Sequence, residues 1–352
     1  MRAPAHRLRV AVLFGGRSGE HEVSLQSAAN VMQALDPAKY DVIPIGIDRS
    51  GKWLPGPEAH KLLSAGKPIQ GHNPTRALEV AGGPVDAVFP VLHGPYGEDG
   101  TLQGFLEMAG VAYVGCGVLA SALAMDKVMC KRVFKEQGLP IVDYVWLHSS
   151  EWPEAKQREI EAVCGYPCFV KPANLGSSVG VSKVHEAGGL PAAVENAARF
   201  DTKIVVERAV SEAREIECSI LGNDNPEASV PGEIVPSREF YDYAAKYLDG
   251  SSELLIPAQL DQAITERVRR TAIQAFQALD CSGMARVDFL LSRATGELFL
   301  NELNTIPGFT AISMYPKLWE DSDLPAPKLV NRLIELALER HAQRAKLSTA
   351  SE

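Results

Sequence analysis

The sequence predicts an α/β fold in its first third and an α+β organisation beyond it, and three observations carry that prediction. Continuous apolar runs over residues 8–14, 40–47 and 85–92 alternate with helical stretches, the pattern of parallel strands buried on both faces. A glycine- and serine-rich segment from Lys171 to Gly180 lies between two short strand-like runs, as in a hairpin. Further on, Met284-Ala-Arg-Val-Asp288 and Asn301-Glu-Leu-Asn304 set polar side chains two residues apart within apolar strands.

Leu8 to Phe14 runs into Gly15-Gly16, as a buried parallel strand feeding a loop does. Ser24 to Leu35 reads as a helix, Tyr40 to Ile47 as the second strand and Val85 to Leu92 as the third. The polar loop His93 to Gly100, a helix over Thr101 to Ala109 and a strand over Val111 to Val114 complete a doubly wound unit. Such sheets place their sites at the carboxyl ends of strands, where Gly15 to Glu22 and His93 to Glu98 fall. One helix is expected from Ala124 to Gln137, then a strand near Val142 to Leu147 and a helix near Glu154 to Val163. Cys168 to Pro172 and Val181 to Val184 form the hairpin, with Lys203 to Val210 and Glu215 to Leu221 as further strands. The remainder holds a polar loop (Ser237 to Ser252), an amphipathic helix (Gln262 to Leu279), a strand pair turning at Ala294-Thr-Gly296, and a last helix (Pro327 to Ala345). The basic end of that helix (Arg340, Arg344, Lys346) reads as a solvated face.

A chain of 352 residues with 46% apolar and 22% charged residues can bury the cores of two or three domains. Its net charge of -9 argues against a dedicated nucleic-acid binder, so any anion site must be local. The first residues lack the apolar core of a signal peptide, and no apolar run reaches the roughly 20 residues a membrane span needs. Six scattered cysteines, with only Cys164 and Cys168 close together, read as reduced residues of a cytoplasmic protein and not as a zinc set.

The strand pair near the C-terminus carries the strongest chemical signal. Arg286 and Asp288 share one face, Glu302 and Asn304 another, and if the strands are neighbours the result is a cluster of hard oxygen donors beside a cation. That set suits magnesium carrying nucleotide phosphates better than zinc or iron. The Lys171 to Gly180 loop can wrap phosphate oxygens with backbone N–H groups and serine hydroxyls, although it is no Walker motif and leads into a strand. Glu207 and Glu215 flank a strand connection and read either as nucleotide contacts or as surface carboxylates. Tyr241 to Tyr247 is rich in hydrogen-bonding side chains, as a lid that excludes water would be.

Taken together, these segments resemble the D-alanine–D-alanine ligases of the ATP-grasp superfamily. The matching stretches are Gly15 to Leu25, Leu92 to Gly104, Ala124 to Lys127, Lys171 to Gly180, Tyr241 to Tyr247, Gly283 to Asp288 and Asn301 to Thr310, in family order. The resemblance implies an ATP-grasp fold preceded by the N-terminal doubly wound α/β domain, divided at residues 1–121, 122–211 and 212–352. It implies ATP-dependent joining of two D-alanine molecules through an acyl phosphate, for peptidoglycan precursor synthesis, by a cytoplasmic homodimer.

By position, the resemblance assigns Lys127, Lys171, Ser178 and Lys246 to the ATP phosphates, Glu207 through Val210 to adenine and Glu215 to ribose. Asp288, Glu302 and Asn304 would hold two magnesium or manganese ions, with Glu302 bridging. Glu22 would receive the ammonium of the first D-alanine, with Ser177 and Tyr247 bonded to it when the lid shuts. Ser313 and Met314 would meet the second D-alanine, His93 would line the substrate site, and Arg286 with the N–H of Gly308 would stabilise the oxyanion. Ala213 and Ala244 depart from the family's usual residues and bear only on local backbone and lid packing. The alternatives are a ligase joining D-alanine to D-lactate, argued against by Tyr247, another carboxylate–amine ligase such as a glutathione-type enzyme, argued against by the N-terminal loops, and an inactive ATP-binding regulator, argued against by the intact metal set.

Overall fold

The computed structural model describes residues 7–65, 83–150, 152, 154–235 and 253–348. Three sheets organise them. The first has the order β3-β2-β1-β4-β5, from β1 (Leu8–Gly15), β2 (Tyr40–Ile47), β3 (Trp53–Pro55), β4 (Ala87–Pro90) and β5 (Ala112–Tyr113). All its neighbours are parallel except β2 and β3. The unbroken apolar run of β1 is explained by burial on both faces. Val10, Val12 and Phe14 pack towards α1 (His21–Ala34), whereas Ala11 and Leu13 pack towards α3 (Thr101–Met108). Of the helices, α2 (Pro57–Ala65) follows β3 and was not expected from the sequence.

The second sheet is antiparallel, with the order β6-β9-β7-β8: β6 (Tyr144–His148), β7 (Cys168–Pro172), β8 (Ser182–Val184) and β9 (Lys203–Arg208). The expected hairpin is β7 and β8. Its core is closed by α6 (Glu154–Val163) and by α7 (Leu190–Ala198), which the sequence reading missed.

The third sheet has the order β13-β12-β10-β14-β15, with the two-residue β11 (Glu227–Ala228) also on β10. Its strands are β10 (Ala213–Gly222), β12 (Gly232–Val235), β13 (Glu253–Leu255), β14 (Gly283–Ser292) and β15 (Leu298–Asn304). The amphipathic α8 (Gln262–Ala278), capped by the Asp261 carboxylate on Ile264 N–H, buries Val268, Ala272, Ala275 and Phe276 against it.

Two expectations need correction here. The single helix over residues 124–137 is two, α4 (Val118–Met125) and α5 (Lys127–Glu136), because Asp126 takes an extended backbone (φ -83°, ψ 98°) and its Oδ1 accepts from Val128 and Met129 N–H at 3.0 Å each. An aspartate inside an apolar periodic run is read as a helical position, although a strong N-cap starts a new helix. The basic end of the last helix is not simply solvated. After α9 (Met314–Asp321), α10 (Ala326–Arg344) packs on the first sheet, where Leu329, Val330, Leu333 and Ile334 join the core of β1 and β4. Arg340 donates to the carbonyls of Tyr113 (3.0 Å) and Gly115 and to Ser282 Oγ, lying 4.4 Å from the Tyr113 ring centre, and Arg344 pairs with Glu107 at 2.6 Å. The C-terminal helix is therefore bolted to the N-terminal sheet.

Candidate active site

A cavity of about 560 Å³ lies where the three sheets meet. Its acidic side depends on an irregularity in β15. Leu298 and Leu300 point into the core, and strict alternation would bury Glu302 and Asn304 beside them. The register shifts between Asp288 and Phe289, so that Asn301 is an extra residue, and beyond it Leu303 takes the core position. Glu302 then faces Asp288, and Asn304 faces Arg286. All four line the cavity.

Arg286 is shared by two carboxylates. It donates to both oxygens of Asp288 at 2.7 Å, and its Nε lies 3.0 Å from Glu217 of β10, the residue opposite Asp288. Asn304 Nδ2 lies 3.0 Å from Asp288 Oδ2, and Lys127 Nζ is 3.7 Å from Glu302. Two carboxylates and an amide on facing strands make a hard oxygen set that fits a magnesium or manganese ion, once the Asn304 amide presents its oxygen. Among the described residues no cluster of three or more His, Cys, Asp or Glu is placed to hold a metal, so the amide oxygen is needed to complete the set.

The opposite side is basic. Glu207 on β9 is buried between Lys171 of β7 (2.7 Å) and Lys131 of α5 (3.0 Å). Burial alone would raise its pKa, but the two ammonium groups overcome that and hold it at about 2. Lys171 is shifted up, since the charges of Glu207, Glu302 and Glu215 outweigh its burial. Lys127 donates to the Leu175 carbonyl at 2.7 Å. Ser178, Val210 and Glu215 also line the cavity. Ser177 and Ser178 both hold left-handed backbones (φ 52° and 58°), a conformation costly for residues other than glycine.

Glu22, the carboxylate expected to meet the first substrate, does not line the cavity. Glu22 is exposed (side chain 61%), paired with Arg49 at 2.9 Å and away from the cavity. Glu20 lines the cavity instead, and its Oε1 accepts a hydrogen bond from Ser177. The helix begins at His21, not Ser24, so Glu20 is its N-terminal flank and Glu22 lies about 200° further round. A Cβ on Gly94 or on Gly176 would come within 3.1 and 3.3 Å of Glu20 Oε2, so glycine at both positions admits the carboxylate between two loops.

The remaining expected residues divide. His93 and Gly308 line the cavity. His93 is no free base: Nδ1 donates to the Ile306 carbonyl (3.0 Å) and Nε2 accepts from Ser27 (3.2 Å), which fixes the neutral tautomer, and burial lowers its pKa. Ser313 sits behind the Gly308 turn, where its Oγ accepts from Thr310 N–H at 3.0 Å, and Met314 is buried with Ile234 and Leu318; neither lines the cavity. Lys246, Tyr247 and the whole Tyr241 to Tyr247 segment, expected to be a lid, lie outside the described residues. Among the cavity residues that the sequence reading gave no role are Glu20, Glu217 and Glu98. Glu217 was readable from its two-residue spacing after Glu215. Glu98, whose oxygens accept from Gly94 (2.6 Å) and Ile306 (3.3 Å) N–H, is raised to about 8 by burial and then by the charge of Glu20, which no sequence pattern announces.

Comparison with known proteins places the chain in one family. Residues 9–116 match the family model described as D-ala D-ala ligase N-terminus, and residues 133–335 the one described as D-ala D-ala ligase C-terminus. A D-alanine--D-alanine ligase of Thermoanaerobacter sp. (strain X514) is 53% identical, over 96% of this chain and 98% of that protein. One from Heliobacterium modesticaldum is 49% identical over 97% of each. Among solved structures, the D-alanine-D-alanine ligase of Coxiella burnetii superposes with a TM-score of 0.83 at 37% identity, covering 97% of each chain. The VanG D-Ala:D-Ser ligase of Enterococcus faecalis also reaches 0.83, at 40% identity, over 94% of this chain and 100% of that one.

Proposed function

The chain belongs to the D-alanine–D-alanine ligase family, and from that premise we propose that it joins two D-alanine molecules at the expense of ATP. The carrying observation is the meeting, in one cavity, of two lysines gathered about the buried Glu207 and a set of carboxylates on facing strands, two of them held by Arg286. Phosphoryl transfer to the carboxylate of the first D-alanine gives an acyl phosphate and ADP. The amine of the second D-alanine, having lost a proton, then attacks that carbonyl, and the tetrahedral intermediate expels inorganic phosphate.

In this reading Lys127, Lys171 and Ser178 hold the ATP phosphates, with Glu207, Val210 and Glu215 about the base and ribose. Asp288, Glu302 and Asn304 hold two magnesium or manganese ions, which when bound neutralise the charge on the phosphates. Glu20, in place of Glu22, receives the ammonium of the first D-alanine and carries its link to Ser177. Arg286 and Gly308 N–H meet the oxyanion, where a positioned donor is worth about 10²–10³ in rate. The roles of Lys246 and Tyr247 rest on the resemblance alone, and Ser313 and Met314 would reach the second substrate only from behind the Gly308 turn. The domain limits 1–121, 122–211 and 212–352 are supported by the three sheets, although α10 crosses back to the first. Adenosine nucleotide use and six free cysteines favour the cytoplasm. The homodimer rests on the resemblance alone.

Phosphate release from ATP and magnesium, with products identified by mass, tests the reading. D-alanine alone should release phosphate and give the dipeptide, while L-alanine should not, and neither D-lactate nor D-serine should displace D-alanine as second substrate. Phosphate release without dipeptide, or preferential ester formation, would overturn it.

A further inference from the structure

The turn that carries Gly308 is held by the other end of the molecule. Ile306 N–H donates to Glu98 Oε1 (3.3 Å), and its carbonyl accepts from His93 Nδ1 (3.0 Å). On the other side of Gly308, Phe309 N–H donates to Ser27 Oγ (3.2 Å), and its carbonyl accepts from Asn30 Nδ2 (2.9 Å). All four partners come from α1 or from the loop after β4, and none from the third sheet. The Phe309 ring meets Phe89 of β4 edge-on, with centroids 5.9 Å apart, which fastens the same turn to the first sheet. Ser27 and Asn30 are three residues apart, on one face of α1, and neither lines the cavity.

Gly308 is backbone-soft by nature, yet an oxyanion donor must be aimed before the charge develops. Its own side of the turn is crowded, since a Cβ there would come 2.6 Å from Ser313 Oγ, so no larger residue can stiffen it. Rigidity has to come from the flanking peptides. We propose that Ser27 and Asn30 are positioning residues that aim the Gly308 N–H at the oxyanion of the tetrahedral intermediate, an inference that rests on the ligase reading above. Helix α1 then does two things at once: Glu20 at its start meets the first substrate's ammonium, and Ser27 and Asn30 in its middle fix the donor for that substrate's carbonyl. The helix sets the distance between the two ends of one small molecule.

Ser27→Ala leaves Phe309 N–H and His93 Nε2 without their buried partner, and Asn30→Ala frees the Phe309 carbonyl while keeping a good helix former. The test compares wild type, Ser27→Ala, Asn30→Ala and Ser27→Thr in dipeptide synthesis, and measures the affinity of each for a phosphinate mimic of the tetrahedral state. Each alanine variant should lose about tenfold in kcat and a similar factor in mimic affinity, with KM for ATP within about twofold, and Ser27→Thr should recover most of the loss. An active wild type whose alanine variants keep mimic affinity overturns the inference alone, including the case where kcat falls only in step with Tm. A wild type that makes no dipeptide overturns the ligase reading and the inference with it. Should Ser27→Ala fail to fold, Asn30→Ala decides.

Discussion

The two sides of the cavity handle buried charge in opposite ways. On the β7–β9 side, one carboxylate, Glu207, is enclosed by two lysines and driven to a pKa of about 2. On the β10–β14–β15 side, Glu217, Asp288 and Glu302 are served by Arg286 and, at 3.7 Å, by Lys127. A buried carboxylate enclosed by cations holds its shape, whereas carboxylates gathered on facing strands offer oxygen donors to an arriving cation. On the proposed reading the first side is a preformed surface for an anionic ligand's body, and the second the place where divalent ions arrive with the nucleotide.

Altering the acidic side should do the most damage. Glu302→Gln removes charge at the point facing Asp288 and should lower turnover by on the order of 10³ or more with the fold intact, read by circular dichroism beside phosphate release. Arg286→Ala should lower kcat by about 10²–10³ while KM for ATP moves little, since its charge matters most in the tetrahedral state. A change confined to KM would make Arg286 an ordinary binding residue and weaken the contrast.

The entrance to the site gives a sharper pairwise test. Glu20→Gln should reduce kcat/KM for D-alanine by about 10²-fold, through misplacement of the first substrate, and Glu22→Gln by less than about twofold. Equal losses would show that the exposed Glu22 reaches the substrate after all.

The smallest effects are in the pH dependence of stability, and their signs differ. Glu207 has a lowered folded pKa, so its contribution is present above the unfolded value of about 4.5 and is lost as pH falls towards 2. Glu98 has a raised folded pKa, so its contribution is present below about 4.5 and is lost as pH rises through about 8. Thermal melts should therefore show Lys131→Met flattening the acid limb and Glu98→Gln flattening the limb between about pH 4.5 and 8. The reverse assignment would mean that the two carboxylates have exchanged environments.

Much of this was legible in the residues themselves. Polar side chains two apart on β14 and β15 announced a shared face, and unbroken apolar runs announced a sheet buried on both sides. The bulge at Asn301 was not legible, because an extra residue in a strand has no composition of its own, yet it brings Glu302 out of the core. Glu20 was hidden because Glu20-His21-Glu22 offers two carboxylates and the resemblance by position does not choose between them, whereas the helix start at His21 turns them to different sides. Asp126 was hidden by the apolar residues around it, although its capping chemistry was available. Long-range holds such as Asn30 on Phe309, 279 residues apart, have no local signature at all.

Counting divalent ions tests the contrast between the two sides most directly. Mn²⁺ can be titrated by electron paramagnetic resonance into protein saturated with ADP, for wild type, Glu302→Gln and Lys131→Met. Wild type and Lys131→Met should each bind two ions per chain, and Glu302→Gln at most one. Two ions in Glu302→Gln, or a loss of ions in Lys131→Met alone, would contradict the assignment of the cations to the acidic side.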